Sequence, residues 1–87
     1  MWYNIGMKTN KTIVGIFDEK AHDLVFTQVY PSYDVGCREL FRQVWREDFK
    51  TANYVDDYKI VDMTHTDEDG NNPTVTLREL AQRYGVM

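Results

Sequence analysis

The sequence has few of the features that tie a chain to a membrane or to an oxidising environment. Cys37 is the one cysteine among 87 residues, so an internal disulfide is excluded. No apolar run approaches the roughly 18 residues that a membrane span requires. The first eleven residues, MWYNIGMKTNK, lack the charged start, the apolar run and the cleavage site of a secretory signal. We therefore expect a chain that does not enter a membrane and whose single thiol is reduced and buried.

Recognisable catalytic and metal-binding motifs are also missing. His22 and His65 lie far apart, and neither has a further metal ligand at a known spacing. A calcium loop with Gly70 at its sixth position would place His65 first and Thr76 twelfth, where carboxylates are required. The sequence contains no glycine-rich phosphate loop either. We expect no metal, no cofactor and no catalytic residue, and therefore a protein that is not an enzyme.

The net charge of −4 is unevenly distributed along the chain. Residues 1–50 carry seven basic and seven acidic side chains, whereas residues 51–87 carry three basic and seven acidic ones. This acidic total disfavours tight nonspecific binding to nucleic acid, so any nucleic-acid surface has to be local. The hydrophobic share of 43% and the aromatic share of 14% are sufficient for one small folded domain that spans residues 1–87.

Two apolar segments predict an antiparallel hairpin. Lys11–Asp18 and Leu24–Pro31 are rich in β-branched and aromatic residues, and the polar turn between them is short. Pro31 ends the second segment because it has no backbone N–H to donate to a sheet. Met1–Met7 is a candidate for a further strand or for an ordered arm before the hairpin.

The stretch DVGCRELFRQVWRE, Asp34–Glu47, predicts the main helix. Its apolar residues recur at i, i+3, i+4, i+7 and i+8, which is the spacing of one helix face. They are Cys37, Leu40, Phe41, Val44 and Trp45. We expect this face to pack against the core. Asp34 is the candidate N-cap, and the helix is expected to continue to about Phe49 or Lys50.

The last third of the chain predicts one strand and one short helix. Asp57–Thr66 is expected to form the strand, and a polar turn follows it. Thr76 and Glu79 have the spacing of a capping box, and Gly85 is the candidate C-cap. The predicted fold is an α+β domain of order (β)-β-β-α-β-α, in which one main amphipathic helix packs on a face of a small antiparallel sheet.

A basic stripe on the main helix allows two interpretations. Arg38, Arg42, Arg46 and Lys50 recur every four residues, about 6 Å apart along the axis, and such a ridge can follow phosphates. Tyr30 and Tyr33, at the start of the helix, would offer faces on which unpaired bases stack. On the alternative interpretation the arginines belong to an ordinary mixed-charge helix surface, and the tyrosines pack at the strand end.

Three short motifs follow one another along the chain. A strand ends in an acidic and basic turn, a helix has an arginine before its apolar core, and an acidic strand closes in an aspartate-rich turn. They are Asp18 with Lys20, Gly36–Phe41, and Asp56–Tyr58 with Asp67–Gly70. In this order, over residues 13–71, the chain resembles the small nonstructural protein of gokushoviruses and related microviruses, which are single-stranded DNA phages.

The resemblance implies a phage protein in the cytoplasm of the host bacterium. It implies binding to single-stranded DNA during DNA synthesis or packaging, and it brings no catalytic residues. A second hypothesis is an acidic inhibitor of a host protein, with carboxylates in place of phosphates. Its surface would consist of Asp56, Asp57, Asp62, Asp67, Glu68 and Asp69. A third hypothesis is a homo-oligomer that assembles through an open sheet edge.

Overall fold

The computed structural model describes residues 11–46 and 54–87 of the chain. Its elements, in order, are β1 (Thr12–Asp18), β2 (Asp23–Tyr30), α1 (Tyr33–Val44), α2 (Tyr54–Asp57), β3 (Tyr58–Asp62), β4 (Thr74–Thr76) and α3 (Leu77–Arg83). The strand predicted over residues 1–7 lies outside the described residues. Within them, the predicted α+β class is confirmed.

One antiparallel sheet, in the order β2-β1-β3-β4, organises the described residues. The predicted hairpin is confirmed, because Thr12 pairs with Tyr30 and Asp18 with Asp23. The register shifts by one residue next to Phe17, so that Val25 is the extra residue of a β-bulge. The longest described strand, β2, forms one edge of the sheet, and the three-residue β4 forms the other.

The core lies between one face of the sheet and the helices. Successive β1 side chains point to opposite faces of the sheet, and Val14 and Ile16 point towards the helices. Their partners in the core come from every described element of the fold and include Cys37, Leu40, Phe41, Val55, Ile60, Val75, Leu77, Leu80 and Ala81. Cys37, Leu40 and Phe41 belong to the apolar face that the sequence predicts, and Val44 and Trp45 pack beside the core.

The main helix begins and ends earlier in the sequence than predicted. Ser32, rather than Asp34, is the N-cap, because its backbone is extended and its hydroxyl accepts from the Val35 amide at 3.2 Å. Asp34 lies in the first turn, where its charge suits the helix dipole. The helix ends at Val44, before the predicted limit, because the Trp45 backbone is extended.

The predicted strand Asp57–Thr66 is too long at both ends. Asp57 ends the short helix α2, and β3 stops at Asp62, whose carboxylate turns the chain by accepting from the backbone amides of Thr64 and His65. The prediction also missed β4, which pairs with Lys59–Val61 immediately before α3 begins. Three residues are too few for a clear alternation of apolar and polar side chains, so sequence periodicity gives little indication of β4.

The C-terminal helix has its predicted N-terminal cap, but its C-cap is Tyr84 rather than Gly85, which is the next residue along the chain. The Thr76 hydroxyl accepts from the Glu79 amide, and the Glu79 carboxylate accepts from the Thr76 amide, which confirms the capping box. Gly85 has a φ of +75°, a conformation that favours glycine. The Gly85 amide donates to the Gln82 carbonyl at 3.2 Å, and the Val86 amide donates to the Ala81 carbonyl at 2.9 Å, as in a Schellman motif.

Candidate functional site

The predicted arginine ridge is interrupted at the end of α1. Arg38 and Arg42 lie on the exposed side of the helix, one turn apart. Arg46 is exposed but follows the extended Trp45, so it does not continue the helical stripe. The Arg42 guanidinium also donates to the Glu39 carboxylate at 2.7 Å. Lys50 lies outside the described residues. The helix therefore supports a ridge of two arginines rather than four cations.

The two tyrosines belong to the packing around α1. Tyr30 is 6% exposed, beneath the helix, so the prediction that its ring stacks on unpaired bases is wrong. Its hydroxyl has no hydrogen-bond partner among the described residues. Tyr33 is half-buried, and its hydroxyl donates to the Ile60 carbonyl at 2.6 Å, which joins the start of α1 to the central sheet. Burial raises the pKa of both phenols, and both remain neutral at physiological pH.

The acidic residues of the inhibitor hypothesis do not form one exposed surface. Asp62 is buried, so its place on such a surface is wrong. Asp56 accepts two hydrogen bonds from the Arg78 guanidinium, at 2.8 and 3.0 Å, which lower the pKa of its carboxyl and pair its charge. Asp67 is exposed, but its carboxylate accepts from the Asp69 and Asn71 amides within the turn.

The remaining acidic side chains are more accessible. Glu68 and Asp69 are exposed, and Asp57 is partly exposed beside Tyr58. Asp57 and Tyr58 line a cleft of about 250 Å³ together with Asp18, Lys20 and Ala21. The Asp18 carboxylate already accepts from the backbone amides of Lys20 and Ala21. That carboxylate therefore stabilises the β1–β2 turn.

The buried Asp62 and its partners Thr64 and His65 stabilise the turn after β3. Burial by itself would raise the pKa of Asp62, but donors from Thr64 and His65 outweigh it and lower that pKa. The His65 Nδ1 atom lies 2.9 Å from the carboxylate. Cys37 is not an activated nucleophile that Asp62 and His65 could assist, because burial raises the pKa of its thiol to about 11. Within residues 11–46 and 54–87, no group of three potential ligands could hold a metal ion.

The largest unexplained feature is the exposure of β2. Seven consecutive residues, from Asp23 to Val29, are exposed, although most of them are apolar. Val25 and Val29 are 54% and 52% exposed. We call the exposed apolar side chains of this strand and of its immediate surroundings the open surface. It consists of Leu24, Val25, Phe26 and Val29 on β2, with Ile13 on β1 and Met63 just after β3.

The open surface combines a sheet face with a sheet edge. Ile13 pairs with Val29, and both lie on the face opposite α1 and α3. Leu24 and Met63 approach each other over Gly15, at the centre of that face, where a glycine leaves room for both side chains. Among the described residues, β2 pairs with β1 alone, so its other edge is open.

The sequence contains a signal for this surface that no motif reports. LVFTQVY, Leu24–Tyr30, has no charged residue, whereas the exposed edge strands of natural proteins usually carry lysine or proline as protection against pairing. The segment was predicted as a strand, but the sequence does not reveal that this strand lies at an edge.

Comparisons with protein-family models, with curated proteins and with solved structures found no match. The resemblance to microvirus proteins therefore stays a prediction. In the described parts of the chain, no helix is long and apolar enough to cross a bilayer.

Proposed function

We propose that this chain is a non-enzymatic binding protein that holds another polypeptide along β2. The observation that supports the proposal is the open surface, where an eight-residue edge strand exposes four large apolar side chains. An added strand would receive backbone hydrogen bonds from the open edge, and the apolar side chains would add affinity and specificity. Exposed apolar clusters on small soluble proteins commonly mark such interaction sites.

This proposal keeps the idea of a polypeptide partner from the inhibitor hypothesis but assigns the contact to different residues. The acidic residues are divided among the Arg78 pair, the buried Asp62 turn and the exposed loop, so they offer no shared recognition surface. Most of the open surface, namely Ile13, Leu24, Val29 and Met63, lies on the face opposite the helices, whereas Phe26 pairs with the buried Ile16 on the helix side. No charged residue interrupts Leu24–Tyr30. Recognition of a polypeptide by the open surface would depend on backbone pairing and apolar burial rather than on an imitation of phosphates.

A capture experiment tests the proposal. A tagged full-length chain is produced in bacteria together with an untagged copy, and bound polypeptides are identified by mass spectrometry after nuclease treatment. We expect a defined polypeptide to remain bound to the wild type and to be lost from the double variant Val25→Lys, Val29→Lys. The matched control is Arg38→Glu, Arg42→Glu, which also changes two exposed side chains and should retain the partner. Equal capture by the wild type and the lysine variant would overturn the proposal.

Single-stranded DNA is the second candidate ligand, and the exposure of Arg38, Arg42 and Arg46 favours it. These residues lie along and just beyond α1, so they could contact successive phosphates. Fluorescence anisotropy of labelled single- and double-stranded oligonucleotides at two salt concentrations tests this candidate. Binding that prefers single strands, weakens with salt and disappears in Arg38→Glu, Arg42→Glu would support it. The absence of binding at low salt would remove it.

A further inference from the structure

The open edge of β2 differs from the other edge of the same sheet. β4 has only three residues and leads directly into α3, so it offers little backbone for pairing. β2 has eight residues, which correspond to an edge about 27 Å long at the usual rise of an antiparallel strand. A molecule with one long open edge forms a closed pair rather than a filament, because pairing consumes the edge of both partners.

The charge distribution allows a second copy of the chain as the partner at this edge. The whole chain has a net charge of −4, so two copies repel each other unless their contact avoids acidic side chains. Leu24–Tyr30 carries no charge, and Asp23 lies at the turn end of the strand. Two antiparallel copies of β2 would therefore place no like charges opposite each other along that uncharged segment. The strand can therefore pair with a copy of itself without charge repulsion, whereas most of this acidic surface cannot.

We propose that the polypeptide held by β2 is a second copy of this chain, paired antiparallel with β2 of the first copy. This inference rests on the proposed function and names its partner. The bulge at Val25 lies near the turn end, so Phe26–Val29 is the regular segment at the centre of the contact. The two-fold axis passes through Thr27 or Gln28, which keeps the helices of both copies on the same face of one continuous eight-stranded sheet.

The pairing also covers the side chains that the single chain leaves exposed. With the axis at Thr27, Val29 faces Val25 of the second copy, and with the axis at Gln28 it faces Thr27. In both registers Val29 packs against a β-branched side chain across the new strand pair. Val29 is more than half exposed in the single chain, so it loses accessible apolar surface in either arrangement.

Sedimentation equilibrium of the purified full-length chain gives the first test. We expect about twice the mass of one chain at micromolar concentrations and the mass of a single chain for Val29→Lys, with an unchanged circular dichroism spectrum. Ile13→Lys is the matched control, because Ile13 lies beside Val29 on the same face but belongs to an interior strand. We expect Ile13→Lys to remain dimeric. A dimer that survives Val29→Lys and dissociates in Ile13→Lys would overturn pairing through the edge.

Cysteine cross-linking locates the axis. A cysteine at the axis faces its own copy at a Cα distance compatible with a disulfide, whereas one two residues away does not. We expect oxidation to cross-link either Thr27→Cys or Gln28→Cys. It should not cross-link Thr74→Cys, which places an exposed thiol on the β4 edge. Cross-linking of Thr74→Cys alone would overturn the assignment to β2.

Hydrogen exchange separates a failure of this inference from a failure of the proposed function. A monomeric wild type with rapidly exchanging outward amides on β2 would overturn self-pairing and leave the edge available for a different polypeptide. A monomeric wild type in which those amides are protected would overturn both proposals, because another part of the same chain would then cover the edge.

Discussion

The two faces of the sheet contain similar side chains but have different surroundings. On β1, Val14 is 0% exposed under α1, whereas the adjacent Ile13 is 44% exposed on the opposite face. The strand is apolar on both sides, and the helices cover only one of them. The covered face accounts for the stability of the fold. The open face adds little to stability as a monomer surface, so its apolar side chains need another explanation, which the proposed polypeptide partner would provide.

The largest expected effect comes from a cavity on the covered side. Leu40→Ala should lower the free energy of unfolding by about 2–5 kcal/mol, because Leu40 is fully buried between α1 and the sheet. Guanidinium unfolding followed by circular dichroism measures this loss as a lower midpoint with an unchanged slope. A loss below about 1 kcal/mol would contradict close packing of α1 on the sheet around Leu40.

The turn after β3 should give the next largest effect. Asp62→Ala removes an acceptor that the Thr64 amide, the His65 amide and the His65 imidazole share. Asp62 is buried while its donors are partly exposed, so losing these part-buried hydrogen bonds should cost about 1–3 kcal/mol of unfolding free energy. Guanidinium unfolding followed by circular dichroism measures this cost, with Asp69→Ala as a control in an exposed loop. Equal losses for the two variants would contradict the structural role of Asp62.

The pH dependence of this effect has a defined sign. The folded-state pKa of Asp62 is below its ordinary value of 3.8. Its contribution to stability is therefore complete above that ordinary pKa and is lost as the pH falls through the lower, folded-state value. Asp62→Asn should flatten this part of the stability profile relative to wild type. Unfolding measured from neutral pH down to about pH 2 checks the sign, and unchanged curvature in the variant would contradict it.

Two glycines allow the faces to be compared by one chemical change. A Cβ atom on Gly36 would lie 2.6 Å from Val14 Cγ2, so glycine is what allows α1 to approach β1 closely. Gly36→Ala should lower the unfolding free energy by about 1–2 kcal/mol, because overpacking outweighs the gain in helix propensity. At Gly15 the Cβ would meet the flexible ends of Leu24 and Met63 at 3.0 Å, together with one carbonyl. The cost of Gly15→Ala should therefore be smaller in the same unfolding assay, and the reverse order would contradict this comparison.

Features decided by neighbouring residues were predictable from the sequence. The capping box of Thr76 and Glu79 needs only two side chains three residues apart, and its prediction was confirmed. The apolar face of α1 follows from helical spacing in the same way. The choice of Ser32 over Asp34 as N-cap was less accessible, because both residue types cap helices and the packing of α1 on the sheet decides where the first turn begins.

Features decided by the order of the strands were not predictable. Tyr30 and Val29 are neighbours in one apolar segment, yet Tyr30 is buried under α1 and Val29 lies on the open surface. Their different exposures depend on which side of β2 is covered and on which edge β2 occupies. No local spacing reports either property. The arginine ridge was overestimated for a related reason, because the helix ends before Arg46.

The smallest expected effect makes the sharpest comparison between the faces. Val→Thr preserves shape but adds a hydroxyl, so Val14→Thr should cost about 1–3 kcal/mol where the side chain is buried. Val29→Thr should change the unfolding free energy by less than about 0.5 kcal/mol when it is measured at a concentration low enough to keep the chain monomeric. At higher concentration the wild type should gain stability over Val29→Thr, since association stabilises the folded state. Equal costs at Val14 and Val29 at every concentration would mean that Val29 is already covered within a single chain, and the contrast between the two faces would then fail.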